Sequence, residues 1–285
     1  MIIVDTHVHA VSDDEARYPI YVPKVKPAGL TFSWYRDMPV TAEGLLGLMD
    51  QAGVAAAILV QPMSAYRYDN EYIADSGARQ RGRIASICIV DMNEERAAER
   101  LRYWVEERGV SGLRLFTTLA GEDAWLDDSR TFGVWEVAAA LKIPICMQMR
   151  LSLIPKLRTV LERFSDVPVA LDHLASHYLE AGLALELAES LFPLADYPNV
   201  YLKYSAQNLK TLEPAGESEP LLGALVQRFG ARRIMWGSNF PATYDRSYGE
   251  LVDQGRASVA FLPEADRRWL LGETALSLWP ELRPA

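Results

Sequence analysis

The chain has 285 residues, 49% of them hydrophobic, and a net charge of −9. That composition supports a sizeable core, and without any Lys/Arg block it argues against a nucleic-acid partner, whose phosphates need a concentrated basic surface. No apolar run nears the ~20 residues needed to cross a bilayer, no leader pattern opens the chain, and Cys88 and Cys146 each sit in an apolar run as buried free thiols do, so a soluble cytoplasmic protein without a membrane partner is expected.

Short apolar runs alternate with amphipathic stretches throughout. The first run, Ile2–Asp5, leads into Asp5-Thr6-His7-Val8-His9. Alternate residues of a strand share a face, so His7 and His9 present both imidazoles to one point. Imidazole is the commonest metal ligand and titrates near neutrality. About thirty residues follow, Ala10–Val40, rich in aromatics such as Tyr18, Tyr21, Phe32, Trp34 and Tyr35. A loop of that length in a compact domain is usually functional or disordered. Its aromatic content predicts an ordered wall or lid at the histidine end, with a packing arm in a homo-oligomer as the other reading. A helical pattern follows at Thr41–Gln51, where Thr41 with Glu43 and Gly44 behind it reads as a capped start.

Strand patterns then fall at Val54–Val60, Ile84–Val90, Val110–Phe116, Ile143–Gln148, Val167–Leu171, Val200–Tyr204 and Ile234–Gly237. Helical patterns lie between them at Asn70–Arg79, Asn93–Arg108, Thr131–Leu141, Ile154–Phe164, Leu183–Leu194 and Glu219–Phe229, and beyond them at Ser247–Phe261 and Glu264–Trp279. Gly53, Gly109 and Gly230 each separate a helix from a strand, where a left-handed cap is expected. Pro155 suits a first helical turn. The strand runs are continuously apolar, as strands covered on both faces are. Eight strand–helix units in one domain, residues 1–285, predict an α/β fold: a (β/α)8 TIM barrel with a long first βα loop. A doubly wound open sheet is the alternative.

Barrel active sites lie at the C-terminal ends of the strands. The polar residues at those positions are His7 and His9, Gln61, Asp91, Arg114, Gln148 and Arg150, Asp172 and His173 with His177 close behind, Lys203 and Ser205, and Ser238 and Asn239. All four histidines are among them. Arg114, leaving an apolar strand, calls for an anion and reads as a carboxylate binder. Gln61 and Gln148 suit hydrogen bonds to substrate oxygens. His177 reads as a loop or helix-start residue within reach of substrate. Asp172 reads as an orienting group rather than a reacting one.

The Asp-Thr-His-Val-His start, Leu171-Asp172-His173-Leu174-Ala175 and Met235-Trp236-Gly237-Ser238-Asn239-Phe240-Pro241 resemble the amidohydrolase superfamily. Val60-Gln61-Pro62 and Gly112-Leu113-Arg114 narrow the resemblance to its amidohydrolase-2 lactonase branch, the group that includes 2-pyrone-4,6-dicarboxylate and L-fucono lactonases. The likeness runs from residue 2 to about 245. It implies hydrolysis of a cyclic ester, with the strand-one and strand-six histidines binding metal or polarising the carbonyl and an Asp after strand eight activating water. Some members of the branch hold zinc and some work without metal.

This chain departs from that pattern. Asn239 stands where the Asp is expected, and an amide cannot take a proton as a general base. Gln148 stands where a fully equipped metal site would carry a histidine. His7, His9 and His173 would supply the three ligands a catalytic zinc needs, so the expectation is one divalent metal, zinc by preference, or none. The expected activity is hydrolysis of a small carboxylated lactone. Arg114, helped by Arg150 or Lys203, would hold the substrate carboxylate. Gln61, Gln148, Ser205 and Asn239 would position the ring. A metal-independent sugar-acid lactone isomerase and a non-catalytic ligand-binding barrel are the alternatives.

Overall fold

The computed structural model describes residues 1–21, 34–117, 125–175, 181–243 and 245–283. Eight parallel strands form one sheet in sequence order: β1 Val4–Val8, β2 Ala56–Val60, β3 Ile84–Ile89, β4 Gly112–Phe116, β5 Ile145–Gln148, β6 Val169–Leu171, β7 Val200–Ser205 and β8 Ile234–Gly237. β8 returns to β1 through backbone bonds from Asn239 N–H to His7 O (2.8 Å) and from His9 N–H to Phe240 O (2.8 Å). Thr6 adds a bond from Oγ1 to Trp236 O at 2.7 Å. The (β/α)8 barrel expected from the sequence is therefore the observed fold.

The two apolar faces of each strand serve different cores. Val4, Ala56, Ile58, Val60, Ala85, Ile87, Ala170 and Met235 fill the barrel, and Ala275, Leu276, Trp279 and Leu282 seal its lower end. The alternate residues, such as Leu59, Leu113, Met147 and Leu202, meet the surrounding helices. Towards the C-terminal end the interior turns polar, with Arg114, Gln148, Asp172, Lys203 and Ser205 all buried.

Three expectations change. The first strand is Val4–Val8 rather than Ile2–Asp5, because Asp5 and Thr6 find hydrogen-bond partners on β8 and so do not end it. Glu264–Trp279 is not one helix. Helices Glu264–Arg268 and Thr274–Leu278 flank a π-turn, Trp269–Glu273, where a Cβ on Gly272 would lie 2.4 Å from Ile2 O. The widened turn carries the chain under β1. Gly230 has positive φ but an extended ψ of 146°, so it is no left-handed cap, whereas Gly53 is one (φ 69°, ψ 36°). Thr41 caps its helix as expected, accepting from Gly44 N–H at 3.0 Å.

The ends of the first loop are pinned by Val11 N–H to Val40 O at 2.9 Å. Ser12 N–H bonds Tyr66 Oη (2.8 Å) and Tyr21 N–H bonds Ala65 O (2.7 Å), which holds its first half against the loop after β2. A short helix, Trp34–Asp37, then brings Trp34 onto the His9 ring, stacked at 5.6 Å between centroids. The described part of the loop thus forms a wall of the histidine site. Among the described residues no helix is long and apolar enough to cross a membrane.

Candidate active site

β1, β6 and β7 bring three histidines and their anchors to one mouth of the barrel. The His7 ring lies 5.0 Å from that of His9 and 4.7 Å from that of His173. No Cβ stands between β8 and His7: one added at Gly237 would lie 2.7 Å from His7 Cβ and 3.0 Å from His7 N.

The partner of each imidazole fixes its chemistry. His9 Nδ1 is 2.8 Å from the Val60 carbonyl, which only accepts, so the proton sits on Nδ1 and the lone pair on Nε2. Burial, reinforced by the Arg114 charge, holds the His9 pKa down at about 3. Burial also holds His7 well below the ordinary histidine range. Both rings are neutral at neutral pH. Neither ring nitrogen of His7 has a hydrogen-bond partner among the described residues, although Nδ1 lies 3.5 Å from Asp172 Oδ1.

Asp172 is the hub that sequence reasoning underrated. Its Oδ2 accepts from Arg114 Nε at 2.9 Å, and its Oδ1 lies 3.2 Å from Lys203 Nζ. Burial alone would raise its pKa; the charges of Lys203 and Arg114 outweigh that and hold it well below the ordinary value. Lys203, which burial would push down, is instead raised by Asp172 and by the Cys146 thiol. Among the described residues, Arg114, Lys203, Asp172 and the two neutral imidazoles thus carry one positive charge in excess.

Several expected contacts resolve differently. Lys203 turns inward, with Nζ on Thr6 O (3.2 Å), Cys146 Sγ (3.0 Å) and Asp172, which takes it away from direct capture of a substrate. Gln61 gives its amide hydrogens to the carbonyls of Arg67 (3.1 Å) and Asp69 (2.6 Å), so it braces the loop after β2 rather than donating to a ligand. Gln148 Oε1 accepts from Arg114 Nη2 at 2.7 Å and orients the guanidinium. Arg150 is exposed, ahead of the turn Leu151–Leu153, outside the buried group. His177 lies outside the described residues.

After β6 the chain makes a left-handed turn without glycine: His173, Leu174 and Ala175 have φ of 54°, 56° and 54°. Such a conformation costs roughly 1–2 kcal/mol for each non-glycine residue and persists only where its surroundings impose it. His173 Nδ1 is held by Ser205 Oγ at 2.8 Å, and His173 O accepts from Asn208 Nδ2 at 3.1 Å. Asn239 has φ 57° and directs its Nδ2 to Thr243 Oγ1 at 3.2 Å.

His7, His9 and His173, the expected ligand set, stand together at the barrel mouth, with the His7 ring 5.0 Å from that of His9 and 4.7 Å from that of His173. Among the described residues no group of three or more His, Cys, Asp and Glu side chains is arranged to hold a cation. The carboxylate that would offset a metal's charge faces Lys203 and Arg114, and β8 ends in an amide.

Asp5, on the far side of β1, was also missed, although a carboxylate inside an apolar run signals it. Its Oδ1 accepts from Ser238 N–H (2.8 Å) and His7 N–H (3.1 Å), and its Oδ2 from Tyr248 Oη (3.2 Å). Burial raises its pKa from 3.8 to about 6. A carboxylate raised on folding binds its proton more tightly in the native state, so its contribution is full below the unfolded value and is lost as pH rises through about 6. Between about pH 7.5 and about pH 5 the native protein should therefore gain about 1–1.5 kcal/mol relative to the Asp5→Asn variant. Urea midpoints of the two proteins at both pH values check this; parallel shifts would show that Asp5 does not titrate there.

Relatives agree with this architecture. An L-fucono-1,5-lactonase from Burkholderia ambifaria is 25% identical over 243 residues, 83% of this chain and 80% of that protein. A proposed 2-pyrone-4,6-dicarboxylic acid hydrolase from Pseudomonas putida superposes with a TM-score of 0.79 at 22% identity, covering 99% of both chains. An amidohydrolase from Burkholderia multivorans with bound zinc does so with a TM-score of 0.75 at 22% identity, over 98% of this chain and 99% of that one. The family model described as amidohydrolase matches residues 4–280, and the chain belongs to that family.

Proposed function

We propose that the protein hydrolyses a small lactone that carries a carboxylate. The observation that carries this reading is the excess of one positive charge, among the described residues, buried beside the neutral imidazoles at the barrel mouth. A buried ion cluster is weak evidence for stability, because desolvation offsets much of its attraction. A ligand carboxylate completes the charge balance of Arg114, Lys203 and Asp172, and the lactone homologue points to the same class of substrate.

His173, with its Nδ1 proton on Ser205, holds its lone pair on Nε2 and acts as general base toward water. His9 likewise offers a lone pair, so it accepts from a substrate hydroxyl or water rather than polarising the carbonyl. Charge developing on the carbonyl oxygen falls to the Arg114 side of the cluster.

Asn239 favours a second reading, lactone isomerisation, in which protons move between hydroxyls and no water is activated. Proton NMR of a carboxylated 1,5-lactone incubated with the enzyme, with and without added zinc or manganese, separates the two. Open acid is expected; accumulation of the 1,4-lactone supports isomerisation, and no product at all supports a binding barrel. Removing the substrate's carboxylate should lower kcat/KM about tenfold to a hundredfold, the worth of a hydrogen bond to a charged group.

A further inference from the structure

We propose that Asn208, acting through Ser205, is a positioning residue that decides which ring nitrogen of His173 carries the proton. Asn208 lies on the short helix Ala206–Leu212 that follows β7. Its amide orientation is fixed twice. The His173 carbonyl can only accept, so Nδ2 must face it, at 3.1 Å. The Ser205 N–H can only donate, so Oδ1 must face that, at 3.0 Å. The same Oδ1 lies 3.2 Å from Ser205 Oγ and takes the hydroxyl proton. The hydroxyl is then left to accept from His173 Nδ1–H at 2.8 Å. With its proton on Asn208 Oδ1, the Ser205 hydroxyl turns a lone pair to His173 Nδ1. The neutral ring therefore keeps its lone pair on Nε2, and Nδ1–H stays on Ser205 when Nε2 takes a proton.

Asn208 Nδ2 also secures the carbonyl at the start of the left-handed turn His173–Ala175. One amide thus sets both the backbone and the protonation of the same histidine. The catalytic consequence rests on the proposed hydrolase reading; the position of the proton does not.

Two-bond proton–nitrogen correlation of the ring nitrogens in uniformly 15N-labelled full-length protein reads the tautomer directly. The chain has only four histidines, and the signals of His173 are identified by their loss in His173→Gln. Wild type should show His173 protonated on Nδ1 at neutral pH. In Ser205→Ala and Asn208→Leu the His173 pattern should move toward the Nε2–H form, while His9, held by Val60 O, keeps its own and reports an intact site. In both variants kcat should fall at least tenfold with KM little changed. Wild-type His173 protonated on Nε2, or a His173 pattern unmoved in both variants, overturns the proposal. A tautomer that shifts as expected in a protein that turns over no lactone supports the positioning role and removes the hydrolase reading instead.

Discussion

Asp172→Asn should cost about 3–5 kcal/mol of stability, because removing one partner of a buried ionic group leaves the others uncompensated. Among the described residues, Lys203 Nζ would keep Thr6 O, Cys146 Sγ and the face of the Trp279 ring, none of them charged, in a position 1% exposed. Arg114 would keep Gln148 Oε1 and lose its counter-charge. The pH dependence has a definite sign. In wild type Asp172 is depressed, so its contribution is full above the unfolded carboxylate value and is lost only as pH falls through the lower native one. In the variant, burial without the carboxylate lowers Lys203 below its unfolded value, so native protein sheds that proton first and the deficit narrows as pH rises. Adding Lys203→Met removes the stranded charge and should recover much of the loss. The double-mutant cycle then shows a coupling of about 0.5–3 kcal/mol. Urea unfolding of the four proteins measures it, and strictly additive losses would show that Asp172 and Lys203 do not act together.

How this hub escaped the sequence shows what a sequence can carry. Strand order, the His7-x-His9 pair and the polar rim follow from periodicity, because in a barrel a residue's place along its strand fixes which end it faces. Partners do not follow from periodicity. Arg114 signals the need for an anion, but the choice of Asp172, 58 positions along the chain, depends on the register of β4 against β5 and β5 against β6. Lys203 and Gln61 read as ligands to substrate because nothing local shows that Thr6 O, Cys146 and two loop carbonyls already take their hydrogens. The left-handed turn at His173 carries no glycine to announce it. Asn208 left a usable trace: Ser205-x-x-Asn208 has the spacing of a capping box. The helix it caps, Ala206–Leu212, is too short to show a period of its own, so that spacing has no helical pattern beside it.

Asn239→Asp should raise the rate of lactone hydrolysis, by less than the ~10²–10⁴-fold a first positioned general base contributes, because His173 already supplies one. The backbone permits the change. Asn239 has φ 57°, and Asp tolerates the left-handed region about as well as Asn. Its N–H to His7 O and its carbonyl to Thr243 N–H are main-chain bonds that the substitution leaves in place. Thr243 Oγ1, which now accepts from Asn239 Nδ2 at 3.2 Å, can turn and donate to a carboxylate instead. Asn239 is only 4% exposed, so the new charge is desolvated, but it enters a site with one positive charge in excess. The same charge competes with the substrate's carboxylate for that excess, so KM should rise while kcat rises more. Product identity distinguishes the two mechanistic readings. If wild type hydrolyses, the variant gives the same open acid faster. If wild type isomerises, the variant diverts the 1,5-lactone from 1,4-lactone to acid, because a carboxylate beside the imidazoles can activate water that the amide cannot. Initial rates and proton NMR on one carboxylated lactone decide the matter, and a variant unchanged in rate, KM and product would show that this position takes no part in the chemistry.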